Sequence, residues 1–160
     1  AEESIWREWF EIIVLAAIKA TTAALPGMKT AGWGRILSMT SSNIYMAATA
    51  NVLSTSLRLA LVGWSKALAN EVAQDGITVN CLVPGRVETE RVREGDMSRA
   101  RRAGVTPEEI KKKMIAEAPM GRDGKVEEMA NIALLLCSHQ SSYITGSVIR
   151  GDSGLIPVNL

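Results

Sequence analysis

The run Gly76-Ile-Thr-Val-Asn-Cys-Leu-Val-Pro-Gly85 constrains the fold of this chain more than any other. Its β-branched residues favour a strand. Its continuous apolar end suits a parallel strand covered on both faces, because a strand with one wet face would alternate with polar residues. Pro84 has no N–H, so the ladder stops there. Gly85 lets backbone approach a flat ligand closely, and Thr89 offers a hydroxyl just beyond. In open α/β sheets, ligands bind outside the carboxyl ends of the strands. The run therefore reads as one wall of a nucleotide-cofactor site.

The rest of the chain supplies the partners such a strand needs. Glu2 to Met28 reads as a long helix beginning near Ser4, with Trp6, Phe10, Ile13, Ala17 and Ala20 on one stripe. The stripe widens at Ile12 to Leu15, which predicts cover on more than one side, and Gly32-Trp33-Gly34 breaks the helix. Arg35 to Thr40 is a strand ending in polar Thr40-Ser41-Ser42-Asn43. A helix over 53–74 carries the stripe Leu57, Leu61, Trp64, Leu68 and Val72, and Asp75-Gly76 is its turn signal. The strand Ile77 to Val83 follows. Residues 86–120 are charged and read as short-helical and flexible, with a helix start at Thr106-Pro107-Glu108-Glu109. A helix over 125–138 turns Val126, Met129, Ile132, Ala133 and Leu136 inward, and Ser147 to Arg150 is a last strand. Alternating helix and strand predicts an α/β fold: a partial Rossmann-like, doubly wound parallel sheet in a single domain over 1–160.

Composition narrows the function. The 160 residues are 47% apolar and carry a net charge of +1, so neither nucleic acid nor an anionic membrane is an expected partner. The apolar run Ile12 to Ile18 is far shorter than the roughly 20 residues of a membrane span and is expected as a buried helix face. Two cysteines, Cys81 and Cys137, make neither a disulfide framework nor a metal site. They read as buried free thiols in a reducing compartment, which makes the expected location cytoplasmic. The N-terminus is acidic and lacks the basic start of a signal peptide. The single histidine, His139, sits among polar residues at a helix end, and no His–Asp relay is readable for a nucleophilic serine.

Several runs, in order, resemble landmarks of the short-chain dehydrogenase/reductase family. Gly34-Arg-Ile-Leu-Ser-Met-Thr-Ser41 is similar to the strand that delivers the family's serine. The run from Ala69 to Gly85 is similar to the strand and Pro-Gly turn that face the nicotinamide. Pro119-Met-Gly-Arg122, Val126-Glu-Glu-Met-Ala130, Ser142-Tyr-Ile-Thr-Gly146 and Gly151-Asp-Ser-Gly154 resemble the C-terminal landmarks in order. The resemblance covers the C-terminal part of the family fold. No Gly-x-x-x-Gly-x-Gly turn occurs in the 160 residues. In the family that turn holds the cofactor's pyrophosphate on backbone N–H groups and a helix N-terminus.

What the resemblance implies for function is hydride transfer between NAD or NADP and a carbonyl or secondary alcohol. Pro84, Gly85, Val87 and Thr89 fall on the cofactor wall. The family pairs its serine with a tyrosine, the general acid/base, and a lysine four residues later. Here Ser41 matches the serine, Ser54 stands in the tyrosine's register and Arg58 in the lysine's, while Ile13 stands where an asparagine usually anchors a water relay. Ser41, Ser54 and Arg58 are thus the candidate catalytic residues of an atypical site. Arg58 keeps a positive charge and fixed donors. A serine hydroxyl titrates well above tyrosine's value of about 10 and is a poor proton donor. The alternative is a catalytically inactive relative acting as a binding or oligomerisation subunit, since in the family the helices matching 4–28 and 53–74 pair across a dimer axis. Either way the expected partners are a small-molecule substrate and a second copy, as dimer or tetramer, or a complementary chain. The expected first strand has an open edge, which invites pairing. Residues 86–120 resemble the family's variable substrate loop, in which Arg86, Arg91 and Arg93 are either exposed or face an anionic substrate.

Overall fold

A computed structural model of the chain describes residues 2–47 and 51–158. Three strands, β1 (Gly34–Met39), β2 (Ile77–Pro84) and β3 (Val148–Gly151), form one parallel sheet in the order β1-β2-β3. The register pairs Gly34 with Ile77, Met39 with Leu82, Cys81 with Val148 and Pro84 with Gly151. Every residue of β2 from Ile77 to Val83 is buried, as the unalternating apolar run predicts. Gly76, at φ 72°, makes the tight entry to β2 that an L side chain resists.

Helix α3 (Val52–Val72) lies on the sheet. Leu57, Leu61, Leu68 and Val72 are buried as the stripe predicts, and Trp64 is half-buried. Leu68, Ala69 and Val72 join Ile77 and Val79 in the core, closed by Leu25, Met28, Ile36 and Trp64. Each such apolar side chain contributes about 1.5–3 kcal/mol on burial. Helix α6 (Val126–Leu136) also packs against all three strands. Leu136 is buried and Met129, Ile132 and Ala133 are half-buried, whereas Val126, expected inward, is exposed in the first turn.

The N-terminal helical rod departs most from expectation. It runs as α1 (Glu3–Phe10), a π-helical turn (Glu11–Leu15) and α2 (Ala16–Ala31). It continues past Met28 despite Pro26, and ends at Gly32 in the left-handed conformation, where the Trp33 N–H donates to the Met28 carbonyl at 3.2 Å. A π turn inserts an extra residue into the helical repeat. The buried positions are Val14 and Thr21; Ile13 and Ala17 are half-buried like Leu25 and Met28, and Ala20, expected on the stripe, is exposed. Ile12, expected as part of a buried face, is 61% exposed, and Ile5, Trp9 and Phe10 are exposed beside it. The helix Glu3–Ala31 reaches a mean hydropathy of 1.5 and is long and apolar enough to cross a membrane by length and composition alone. A seven-residue run understates it because alanine and threonine extend its apolar length.

Residues 86–120 fold into two short helices, as the sequence predicts, α4 (Glu90–Ala103) and α5 (Pro107–Ala116). Thr106 and Glu109 close the predicted capping box, with Glu109 N–H donating to Thr106 Oγ1 at 3.2 Å and Thr106 N–H to Glu109 Oε2 at 2.8 Å. Cys81 is buried, but Cys137 is exposed, because α6 ends at Leu136 and the chain turns outward there.

Candidate functional site at the strand mouth

The carboxyl ends of β1 and β2 carry the candidate residues. At β1, the Thr40 N–H and hydroxyl both donate to the Leu82 carbonyl, at 2.8 and 3.2 Å, fixing the strand end on β2. In a parallel ladder this turns the backbone groups of Leu37 and Met39 to the open edge. Ser41 then caps a short 3₁₀ turn: its Oγ accepts from the Asn43 N–H at 3.2 Å.

Arg58, nearly two turns inside α3, reaches back to that end. Its Nε donates to Ser54 Oγ at 3.3 Å and a terminal nitrogen donates to the Met39 carbonyl at 3.1 Å. The structure thus joins Arg58 to Ser54 and to the strand that delivers Ser41, while Ser41 turns its hydroxyl into its own loop. Burial holds the Arg58 pKa below its usual value.

At the end of β2, the Gly85 N–H donates to the Gly151 carbonyl at 2.9 Å. A β-carbon on Gly85 would stand 2.6 Å from Asp152 Cα, so the glycine is needed for the packing of β3 as well as for any ligand. Val87 is buried and bridges to Gly124 in parallel. Thr89 caps α4, accepting from the Val92 N–H at 3.4 Å. Pro84 and Gly85 therefore stand at the mouth, Val87 packs inward, and Thr89 spends its hydroxyl's acceptor on a helix start.

Arg86 lines the open cavity beside Gly85, but its charge is taken up by carboxylates. Its guanidinium is clasped by Asp96 of α4, with one oxygen at 2.8 Å, and by Asp123 ahead of α6 at 2.5 Å. The three side chains are 10%, 6% and 8% exposed. Asp96 raises the Arg86 pKa, and Arg86 in turn holds the Asp96 carboxyl below its usual value. Sequence reasoning left Asp96 and Asp123 unread, because nothing local marks a carboxylate ten or more positions away as a partner. Asn80 was also missed. Inside β2 it donates to the Ile144 carbonyl at 2.8 Å and accepts from the Ser147 N–H at 3.1 Å, holding the approach to β3. An open cavity of about 370 Å³ lies on the β3 side of Gly85, with Met129, Ile132, Arg150 and Gly151 in its walls. Ser41, Ser54 and Arg58 are not among its walls.

A family model described as enoyl-(acyl carrier protein) reductase matches residues 1–156. The chain belongs to the short-chain dehydrogenase/reductase family. Among similar short-chain relatives, it is 35% identical to 3-oxoacyl-[acyl-carrier-protein] reductase FabG of Aquifex aeolicus, over 94% of this chain and 56% of the relative. It is 30% identical to D-beta-hydroxybutyrate dehydrogenase of Cupriavidus necator, over 94% of this chain and 59% of that protein. YwfH, described as an NADPH-dependent reductase involved in bacilysin biosynthesis, superimposes with a TM-score of 0.91 at 29% identity, covering 99% of this chain and 61% of its own. L-sorbose reductase of Gluconobacter frateurii, solved with NADPH and L-sorbose, gives 0.91 at 29% identity, with 99% and 60% covered. The chain thus spans well under two thirds of these short-chain relatives.

Proposed function

We propose that this chain contributes the substrate-side half of an NAD(P)-dependent oxidoreductase that transfers hydride between nicotinamide and a carbonyl or secondary alcohol. The observation that carries the reading is the strand mouth. Pro84 and Gly85 end β2 beside the end of β1, and Arg58 and Ser54 of α3 meet at that same end. The named relatives bind NADPH or are reductases and dehydrogenases, which supports the cofactor class.

The nicotinamide supplies the hydride when the cofactor is bound. Pro84 and Gly85 would flank it with backbone, and Arg58 would present fixed donors to a ribose hydroxyl or a substrate oxygen. Ser54 and Ser41 would orient substrate by hydrogen bonding. Neither hydroxyl has tyrosine's acidity, and a well-placed general acid contributes roughly 10²–10⁴ in rate. The site is therefore an atypical one, slow in carbonyl reduction unless solvent supplies the proton. The protein is assigned to the cytoplasm.

A second reading, a non-catalytic binding or oligomerisation subunit, is favoured by the exposed apolar face of Ile5, Trp9, Phe10 and Ile12. A face of this kind marks an interaction surface. A second copy packing α1, α2 and α3 into a helical bundle would cover it.

Calorimetric titration with NADPH and NADH separates the two. A Kd tighter than about 100 μM supports the oxidoreductase, whereas no binding at millimolar cofactor removes it and leaves the subunit reading.

A further inference from the structure

Arg58 is a half-buried guanidinium with no counter-charge among the described residues. Its partners are the Ser54 hydroxyl and the Met39 carbonyl, both neutral. Every Asp and Glu side chain of the protein lies among the described residues, and none forms an ion pair with it. The contrast with Arg86 is informative. Arg86, also buried, is met by two carboxylates. A cation withdrawn from water is costly unless an anion accompanies it.

The surroundings add positive potential. Arg58 lies six residues into α3, a 21-residue helix, nearly two turns from its start at Val52, and its side chain reaches back toward that end. The N-terminal end of a helix carries a partial positive charge from its unsatisfied N–H groups. Three positions before Arg58, Thr55 is only 9% exposed, and its Oγ1 has no hydrogen-bond partner among the described residues. Helical side chains lean toward the N-terminus, and positions 54, 55 and 58 share a face. A guanidinium with neutral partners and an orphaned hydroxyl thus lie three positions apart in the opening turns of α3, with no acid paired to either among the described residues.

We infer that the first turns of α3, through Arg58 with Ser54 and Thr55, form a receptor for an oxyanion, the carboxylate or phosphate group of a ligand. Two of the guanidinium's N–H groups are already used, and they hold it in place while the remaining donors face the anion. This deepens the proposed function, on which it rests for its biological setting: the ligand reduced or oxidised at the strand mouth carries an anionic group, or the cofactor does.

The test is arginine modification by phenylglyoxal, read at Arg58 by mass spectrometry on the unaltered protein. Inorganic phosphate and propionate are compared separately with chloride at equal ionic strength. Protection of Arg58 by either anion over chloride is expected, with Arg86 unreactive throughout. Protection by phosphate alone assigns a phosphate ester, and by propionate alone a carboxylate. Equal modification in all three salts overturns the inference. Thermal melts give a second readout. Phosphate or propionate raises Tm of the protein more than chloride does, and Arg58→Gln weakens that response at least about tenfold in apparent affinity. An Arg58→Gln protein that keeps the full response also overturns it. NADPH titration of the same sample keeps the two ideas apart. NADPH binding without anion protection sinks this inference and leaves the oxidoreductase. Anion protection without NADPH binding does the reverse.

Discussion

Gly85 lies against Asp152 so closely that any side chain there would drive into the aspartate's backbone, with 2.6 Å left between Cβ and Cα. The contact joins the end of β2 to the turn after β3, where the Asp152 carboxylate accepts from the Gly154 and Ile156 N–H groups at 3.2 and 3.0 Å. Gly85→Ala must therefore move backbone, not a flexible side chain. Overpacking of this kind costs about 1–3 kcal/mol, which urea denaturation will show. NADPH affinity should fall with it, because the mouth of the strand is displaced.

The Arg86 clasp makes a larger prediction. Removing one partner of a buried pair strands a charge and costs about 3–5 kcal/mol. Asp96→Ala, which deletes the two-oxygen partner, should fall at the lower end, since Asp123 remains. Asp96→Ala and Asp123→Ala share Arg86, so their double variant should not sum the single losses. Chemical denaturation of the three proteins checks both statements.

Acid should weaken the fold through two carboxylates. Asp96 is held low chiefly by its hydrogen bonds from Arg86, and Glu128 is held down to about 2 chiefly by Arg122. A depressed acid contributes stability that is present above its unfolded pKa, near 4 for these side chains, and lost as pH falls toward the folded value. Tm should decline between about pH 4 and pH 2. Asp96→Asn should flatten that decline more than Glu128→Gln, because Glu128 is solvated.

Restoring the family's acid and base tests the atypical relay. Ser54→Tyr with Arg58→Lys should raise carbonyl reduction by about 10²-fold or more in protein that binds NADPH. A steady-state assay of NADPH oxidation reads it. The same double variant should lose the anion response assigned to Arg58.

The helical rod predicts association. Light scattering should show a dimer or larger oligomer, and Trp9→Glu with Ile12→Glu, which place charge on the exposed apolar face, should shift it toward monomer.

The three strands, the α3 stripe and the α5 capping box were legible because each rests on a local pattern or a cap within a few residues. The face of the N-terminal helix was read only in part, with Ala20 in place of Thr21, because a π turn shifts the period and no residue type announces one. The partners of Arg86 were not legible for a different reason. A run of charges looks solvated until its partners are known, and Arg86 finds Asp96 and Asp123 only through the fold. The candidate site was legible as positions but not as contacts: Arg58 to Ser54 follows from helical spacing, whereas Arg58 to Met39 depends on how α3 meets the end of β1.

The clasp ties three parts of the chain that would otherwise move separately: the exit from β2, helix α4 and the segment entering α6. None can peel away without leaving an unpaired ion in a nearly dry pocket. The region beyond the strand mouth should therefore belong to the same cooperative unit as the sheet and share its slow amide exchange. Ligands would then enter a cleft whose walls are already set, and selectivity would rest on shape present before binding.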